Sequence, residues 1–172
     1  IHSPFFTDAP GYEDIAYNEP AHPALTDIAH VINILSPAVC IIHPDLVKNE
    51  RVWQASKIPF AIENLKRKRN FPIEQIDNLL LKHSHLKLVL DTEHATDWGE
   101  GTLKHLVDSF GSRIIHIQLS DGDMGYADFL NHGDLTRFEP LKKLNCPIII
   151  ESKPSNFDQL PEIVSRVRDF FS

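Results

Sequence analysis

The sequence predicts an α/β fold built on parallel strands, and three observations carry that prediction. Six short apolar runs, at residues 1–5, 38–42, 59–63, 86–90, 113–119 and 147–150, read as strands. They are near-continuous rather than alternating, the mark of strands covered on both faces. Stretches with helical spacing lie between them, so strand and helix alternate along the chain, as parallel strands with right-handed crossovers require. Several runs also end abruptly on a residue that can bind metal: Ile41-Ile-His43, Phe60-Ala-Ile-Glu63, Val89-Leu-Asp91 and Ile148-Ile-Ile-Glu151. The opening Ile1-His2 is a further candidate.

The helices follow in order. Residues 23–35 carry apolar side chains at 25, 28, 31, 32 and 35, with Pro23 suited to the first turn and Ser36-Pro37 as the stop. Residues 45–55 form a shorter, weaker pattern. Residues 72–83 place Ile73, Ile76, Leu79 and Leu80 on one face behind Pro72. Residues 101–110 carry Leu103, Leu106, Val107 and Phe110, with Gly111 as the expected C-cap. A short helix is expected at 138–144. The last helix, 157–171, turns Leu160, Ile163, Val164, Val167, Phe170 and Phe171 inward. Two long irregular stretches, 7–22 and 120–137, both follow strands, and loops of that length in a compact domain are often functional.

The 172 residues fit a single domain, residues 1–172, large enough for a sizeable core. With 42% hydrophobic and 24% charged residues, the composition is that of a soluble globular chain. A net charge of −7 argues against a general nucleic-acid binder, though not against a local basic patch. Cys40 and Cys146 lie in or beside apolar runs and read as buried free thiols of a reducing compartment, which points to the cytoplasm. No apolar stretch approaches the ~20 residues of a membrane span. The chain shows no signal peptide but begins at Ile1 rather than methionine, so a preceding segment and targeting stay open.

In parallel α/β sheets and barrels the carboxyl ends of the strands surround the active site. Those positions hold His43, Glu63, Asp91 and Glu151, with His94 just past Asp91 and His2 near the first run. Carboxylate oxygens mixed with imidazole nitrogens suit Zn, Mn, Fe or Co better than Mg or Ca. Each residue also has a plainer reading. Asp91 is a good helix N-cap. His43, in a His-Pro pair, could be a satisfied core histidine. Glu63 and Glu151 are poorer caps, and a buried carboxylate without a partner would be costly there. His22, His30, His83, His85 and His105 read as surface residues. The run Lys66-Arg-Lys-Arg69 reads either as a solvated face or, with Lys153, as a grip on phosphate.

At these residues the chain resembles the xylose-isomerase-like TIM-barrel superfamily, which includes sugar isomerases and epimerases and the endonuclease IV family. The matching pieces are Ile1-His-Ser-Pro-Phe5, Ile41-Ile-His-Pro44, Ala61-Ile-Glu-Asn64, Leu90-Asp-Thr-Glu-His94, His116-Ile-Gln-Leu-Ser-Asp121 and Ile149-Ile-Glu-Ser152. They run almost the whole chain in the family's order. The resemblance implies a (β/α)8-type barrel whose third to eighth strands are these six. Two βα units, roughly 60 residues of a barrel of ~250, would then lie outside this chain. Six strands leave two unpaired edges, which an upstream segment or a strand from another copy in a homo-oligomer would cover.

The resemblance also implies ligands for a divalent metal, Zn, Mn or Co. Endonuclease IV-like members would use His2, His43 and Glu63 around one ion. A second ion would take Glu63, Asp91, a histidine on the seventh barrel strand, and Glu151. Sugar epimerases keep only the second set, with His94 near the substrate. Here the chain departs from the family pattern. The seventh-strand position, three residues before Asp121, is Gln118, and His116 lies two residues deeper on the same face. Either His116 substitutes, or Gln118 binds through its carbonyl oxygen, or the site is degraded. The Asp-x-His pair of a third zinc site is not evident, since Asp128 and His132 have the wrong spacing.

The expected function is a metal-dependent sugar or sugar-phosphate isomerase or epimerase, with proton transfer beside a metal-held carbonyl. Glu63, Glu151 and His94 would be catalytic, and His94, Lys66, Arg67 and Lys153 would contact substrate. The alternative is a zinc phosphodiesterase acting on abasic DNA, the only reading in which DNA is a partner. A non-catalytic family member is a third possibility.

Overall fold

The computed structural model describes residue 2 and residues 16–55, 58–99, 101–120, 133–151 and 156–172. It is a mixed α/β chain. The helices are α1 (Pro23–Leu35), α2 (Arg51–Ala55), α3 (Ile73–Lys82), α4 (Thr92–Asp97), α5 (Thr102–Phe110) and α6 (Leu160–Phe171). The strands are β1 (Cys40–Ile42), β2 (Phe60–Glu63), β3 (Lys87–Asp91), β4 (Ile114–Leu119) and β5 (Ile148–Ile150), in a sheet of that order. Two compact units, Ile1–Leu88 and Val89–Ser172, divide within β3.

In the first unit β1 and β2 pair in parallel, with Cys40 opposite Phe60 and Ile42 opposite Ile62. Every residue of both strands is buried, as their unbroken apolar runs require. His2 joins this edge through a parallel bridge to Ile41; the rest of the expected strand at 1–5 lies outside the described residues. Helix α1 has the expected bounds. Pro23 opens it, the His22 imidazole accepts from the Ala24 amide, and left-handed Ser36 (φ 47°) ends it. Only Leu25 and Ile28 of α1 are buried. Val31 and Leu35, placed on its apolar face by spacing, are exposed. Spacing gives a stripe but not the width of what covers it. The single helix expected at 45–55 is instead a 3₁₀ turn, Pro44–Leu46, followed by the short α2. Helix α3 buries Ile73, Ile76 and Leu80, with Leu79 half-buried. Within the stretch 7–22, Tyr17 is fully buried. Its amide donates to the Leu46 carbonyl and its carbonyl accepts from the Lys48 amide.

In the second unit β4 and β5 pair in parallel, with Gln118 opposite Ile149. Helix α5 buries Leu103, Leu106, Val107 and Phe110, as its spacing requires. Gly111 does not make the expected left-handed cap. Its φ of −51° is right-handed, and the chain continues into the 3₁₀ turn Gly111–Arg113. The short helix expected at 138–144 is a 3₁₀ segment, Leu135–Lys143, with Pro140 inside it removing one amide donor. Helix α6 buries Ile163 and Val167, whereas Val164, expected inward, is exposed. Strand β5 also departs from two-sided cover: Ile149 is 51% exposed. Three consecutive isoleucines mark a strand without saying which of its faces is packed.

Candidate functional site

The first unit holds one chemically coherent cluster. Strand β2 ends in Glu63, which is 3% exposed. The next strand in the order, β1, is followed directly by His43, and His2 is bridged to the same strand at Ile41. Parallel pairing brings these endings to one edge. His2 Nε2 lies 3.2 Å from Glu63 Oε2, and His43 Nε2 lies 3.5 Å from the same oxygen. The two imidazoles meet edge to face, with ring centroids 5.0 Å apart. Ligand atoms of His2, His43 and Glu63 all lie within 4.8 Å of one another. A buried carboxylate beside two imidazole nitrogens is a donor set that suits zinc and its neighbours. The His2 side chain is the more open of the two rings, at 28% against 12%.

The second unit builds a different neighbourhood around Asp91. Asp91 is 3% exposed and caps α4: its Oδ1 accepts from the His94 amide at 2.8 Å. The same oxygen accepts from the Ser120 hydroxyl at 3.1 Å. The plainer reading of Asp91, an N-cap, is therefore realised. His94 Nδ1 stands 3.7 Å from the other oxygen, Oδ2, beyond hydrogen-bond length. Thr92 and Ser120 tie the end of β3 to the end of β4. Thr92 Oγ1 donates to the Ser120 carbonyl at 2.6 Å and accepts from the Ser120 amide at 2.9 Å. Ser120 Oγ also accepts from the Glu93 amide at 3.3 Å. Sequence reasoning missed both hydroxyl residues. The available signal was a Ser or Thr directly after a strand end, where such side chains bond nearby backbone.

Gln118, at the position where the resemblance expects a histidine, is buried in β4. Its Oε1 is shielded from solvent and has no hydrogen-bond partner among the described residues. His116, two residues earlier, is half-buried. Glu151 follows β5 and is exposed, so the desolvation cost argued for it from sequence does not arise; its amide donates to the Leu119 carbonyl at 3.0 Å.

In the basic run, Lys66 is half-buried and Arg67 exposed in the 3₁₀ turn Arg67–Arg69. Arg69 is engaged by Asp45 at 2.6 Å. Lys153, Asp121, Asp128 and His132 lie outside the described residues. Of the histidines read as surface residues, His83 is instead 4% exposed at the C-cap of α3. Its polar neighbours in sequence, His-Ser-His, concealed that the chain turns inward there before Leu86.

Cys40 is fully buried in β1, and burial pushes its thiol up to about 11. Cys146 is half-buried, and burial raises it as well. Both are free thiols. Among the described residues no helix is long and apolar enough to cross a membrane. Comparison with protein-family models, with curated proteins and with solved structures finds no match to this chain.

Proposed function

We propose that this protein is a divalent-metal-dependent enzyme of the xylose-isomerase-like barrel type, acting on a sugar or sugar phosphate as an isomerase or epimerase. One observation carries the reading: His2, His43 and buried Glu63 already stand as a donor set around one carboxylate oxygen. A carboxylate withdrawn from water to that degree needs a cationic or donor partner, and two imidazoles with a divalent ion supply one. The ion would contribute Lewis-acid polarisation of substrate oxygens.

The chain's own residues would do the rest. His2, His43 and Glu63 hold the ion in the first unit; in the second unit, Asp91 and Glu151 are proposed as metal ligands. Glu151, which is exposed, is proposed to shuttle the proton, while Glu63 is flanked by imidazoles. His94 steadies a substrate oxygen. Lys66, Arg67 and Lys153 would meet a phosphate group. The neutral amide at Gln118 and the net charge of −7 favour a small substrate over DNA.

The test is elemental analysis of the full chain after gentle purification, with turnover assays on sugar and sugar-phosphate panels. We expect at least one equivalent of Zn, Mn or Co, and Glu151→Gln should lose turnover while keeping its circular dichroism. Less than about half an equivalent of metal would overturn the reading, since a site of this donor set should hold its ion. A fully active Glu151→Gln would remove that residue from the chemistry.

A second reading is favoured by one specific observation. The set His2, His43 and Glu63 is the one that the resemblance gives to endonuclease IV-like members and not to sugar epimerases. A zinc phosphodiesterase acting on abasic DNA would use it to activate water. Nicking of an abasic duplex in the presence of zinc, with binding that weakens steeply as salt rises, would select this reading over the first.

A further inference from the structure

The first unit also carries a pocket of about 260 Å³, and none of His2, His43 and Glu63 lines it. Its apolar wall comes from Trp53 of α2, Phe71 ahead of α3, and Leu79 of α3. Trp53 is 3% exposed, and its ring meets Phe60 edge to face with centroids 5.6 Å apart. Phe71 and Leu79 are half-buried. Spacing assigns Leu79 to the core stripe of α3, and its place in the pocket wall accounts for its incomplete cover. Leu79 and Lys82 stand three residues apart on the helix, so wall and rim share one face.

The rim is charged: Lys48, Glu50 and Lys82 line it, and all three are exposed. Glu50 and Lys82 pair with each other. Lys48 Nζ donates instead to the neutral Asp45 carbonyl at 2.7 Å, while the Asp45 carboxylate is engaged by Arg69. Two ammonium groups against one carboxylate leave the lining with one positive charge in excess, in a chain whose net charge is −7. A cationic rim beside an aromatic wall complements a planar acid, whose ring packs on the wall while its carboxylate meets an ammonium. Volume limits the size. The pocket falls just under the ~300–1,000 Å³ that hold drug-sized ligands, which suits one ring better than a nucleotide. From this we infer that the pocket binds a small aromatic carboxylate, with its ring against Trp53, Phe71 and Leu79 and its carboxylate on Lys48. This site is independent of the metal-dependent reading proposed above.

The experiment uses the full chain with Trp98→Phe, which leaves Trp53 as its one indole, and benzoate as the probe. Trp53 emission should change saturably with benzoate. Benzyl alcohol carries the ring without the charge, and acetate the charge without the ring. Each should bind about tenfold more weakly, the scale of a hydrogen bond to a charged group. Lys48→Glu reverses the excess charge and should weaken benzoate by about tenfold while leaving benzyl alcohol unchanged. Glu50→Gln removes the competing carboxylate and should tighten benzoate by about threefold, the scale of an exposed ion pair. If Lys48→Glu does not fold, Lys48→Gln should weaken benzoate by about threefold and carries the same test. The inference is overturned if emission shows no saturable change, or if benzoate and benzyl alcohol bind alike. It is also overturned if Glu63→Gln abolishes benzoate binding while Lys48→Glu leaves it intact, which would move the acid to the imidazole–carboxylate cluster. A chain that holds no metal yet binds benzoate in this pattern supports the inference and sinks only the metal-dependent reading.

Discussion

Two strands of this chain end on a buried carboxylate, one at each side of the division between its units, and the two carboxylates are used differently. Glu63 ends β2 and faces the imidazoles of His2 and His43. Asp91 ends β3, and one of its oxygens is taken by a backbone amide and a hydroxyl. The first is surrounded by groups that can themselves bind metal; the second is part structural, spending Oδ1 on the cap of α4. The difference teaches that an acidic residue at a strand terminus has no fixed role. Its neighbours decide whether both oxygens serve a ligand or one is consumed by the fold.

The sharpest way to break this comparison is to neutralise the first carboxylate. Glu63→Gln keeps the size of the side chain and removes its charge. We expect zinc affinity to fall by about a hundredfold or more, because metal sites need deprotonated anionic or neutral donors in place. Circular dichroism and calorimetry on the same samples would separate loss of the ion from loss of the fold. If zinc binds equally well, the two imidazoles are not acting with Glu63 and the contrast with Asp91 disappears.

The units also differ in their thiols, and this gives a pH test. Cys40 is buried with its pKa raised to about 11, so the folded state holds the neutral thiol where the unfolded chain has begun to ionise. The sign follows from linkage. Stability from this group is complete below the unfolded value of 9.0 and is lost as pH rises from there toward about 11. The loss amounts to about 2–3 kcal/mol over that window. Urea melts of wild type and Cys40→Val at pH 8 and 11 should show a smaller pH-dependent loss in the variant. Cys146 is only half-buried, so a thiol reagent should label it in the folded protein well before Cys40.

A smaller effect is expected at the hydroxyl tie that sharpens the role of Asp91. Thr92→Val is nearly isosteric and deletes the acceptor of the buried Ser120 amide and the donor to its carbonyl. Leaving those groups without partners should cost about 1–3 kcal/mol. Chemical denaturation measures it, and a neutral substitution would mean that the end of β3 is held by packing alone.

How much of this was legible in the sequence follows from which forces are local. The apolar runs that became β1 to β5 were visible because a covered strand must be apolar along its length. Helix α1 kept its predicted bounds because Pro23 and Ser36-Pro37 act on neighbouring backbone. His43, Glu63 and Asp91 were found from their place at strand ends. The tie from Thr92 to Ser120 was not, since it joins residues 28 apart that only the fold brings together. Nor was the inward turn at His83, where polar spelling hid a buried ring. The split of 45–55 into a 3₁₀ turn and α2 escaped because Asp, Asn and Glu in that stretch suit caps and turns as well as helix.

The mildest prediction returns to the strands. In the first unit β1 is buried at every residue, whereas in the second β5 leaves Ile149 more than half exposed. Hydrophobic stabilisation scales with the apolar area removed from water, so identical isoleucines on these two strands should not weigh alike. Ile149→Thr keeps the β-branch that suits an extended backbone and gives up only the buried part of the side chain. We expect a change within about 0.5 kcal/mol, the range of surface substitutions, measured by urea denaturation of the full chain. A loss several times larger would mean that a second copy or a further part of the polypeptide covers that face in solution. Strand β5 would then be as enclosed as β1, and the asymmetry between the two units would close.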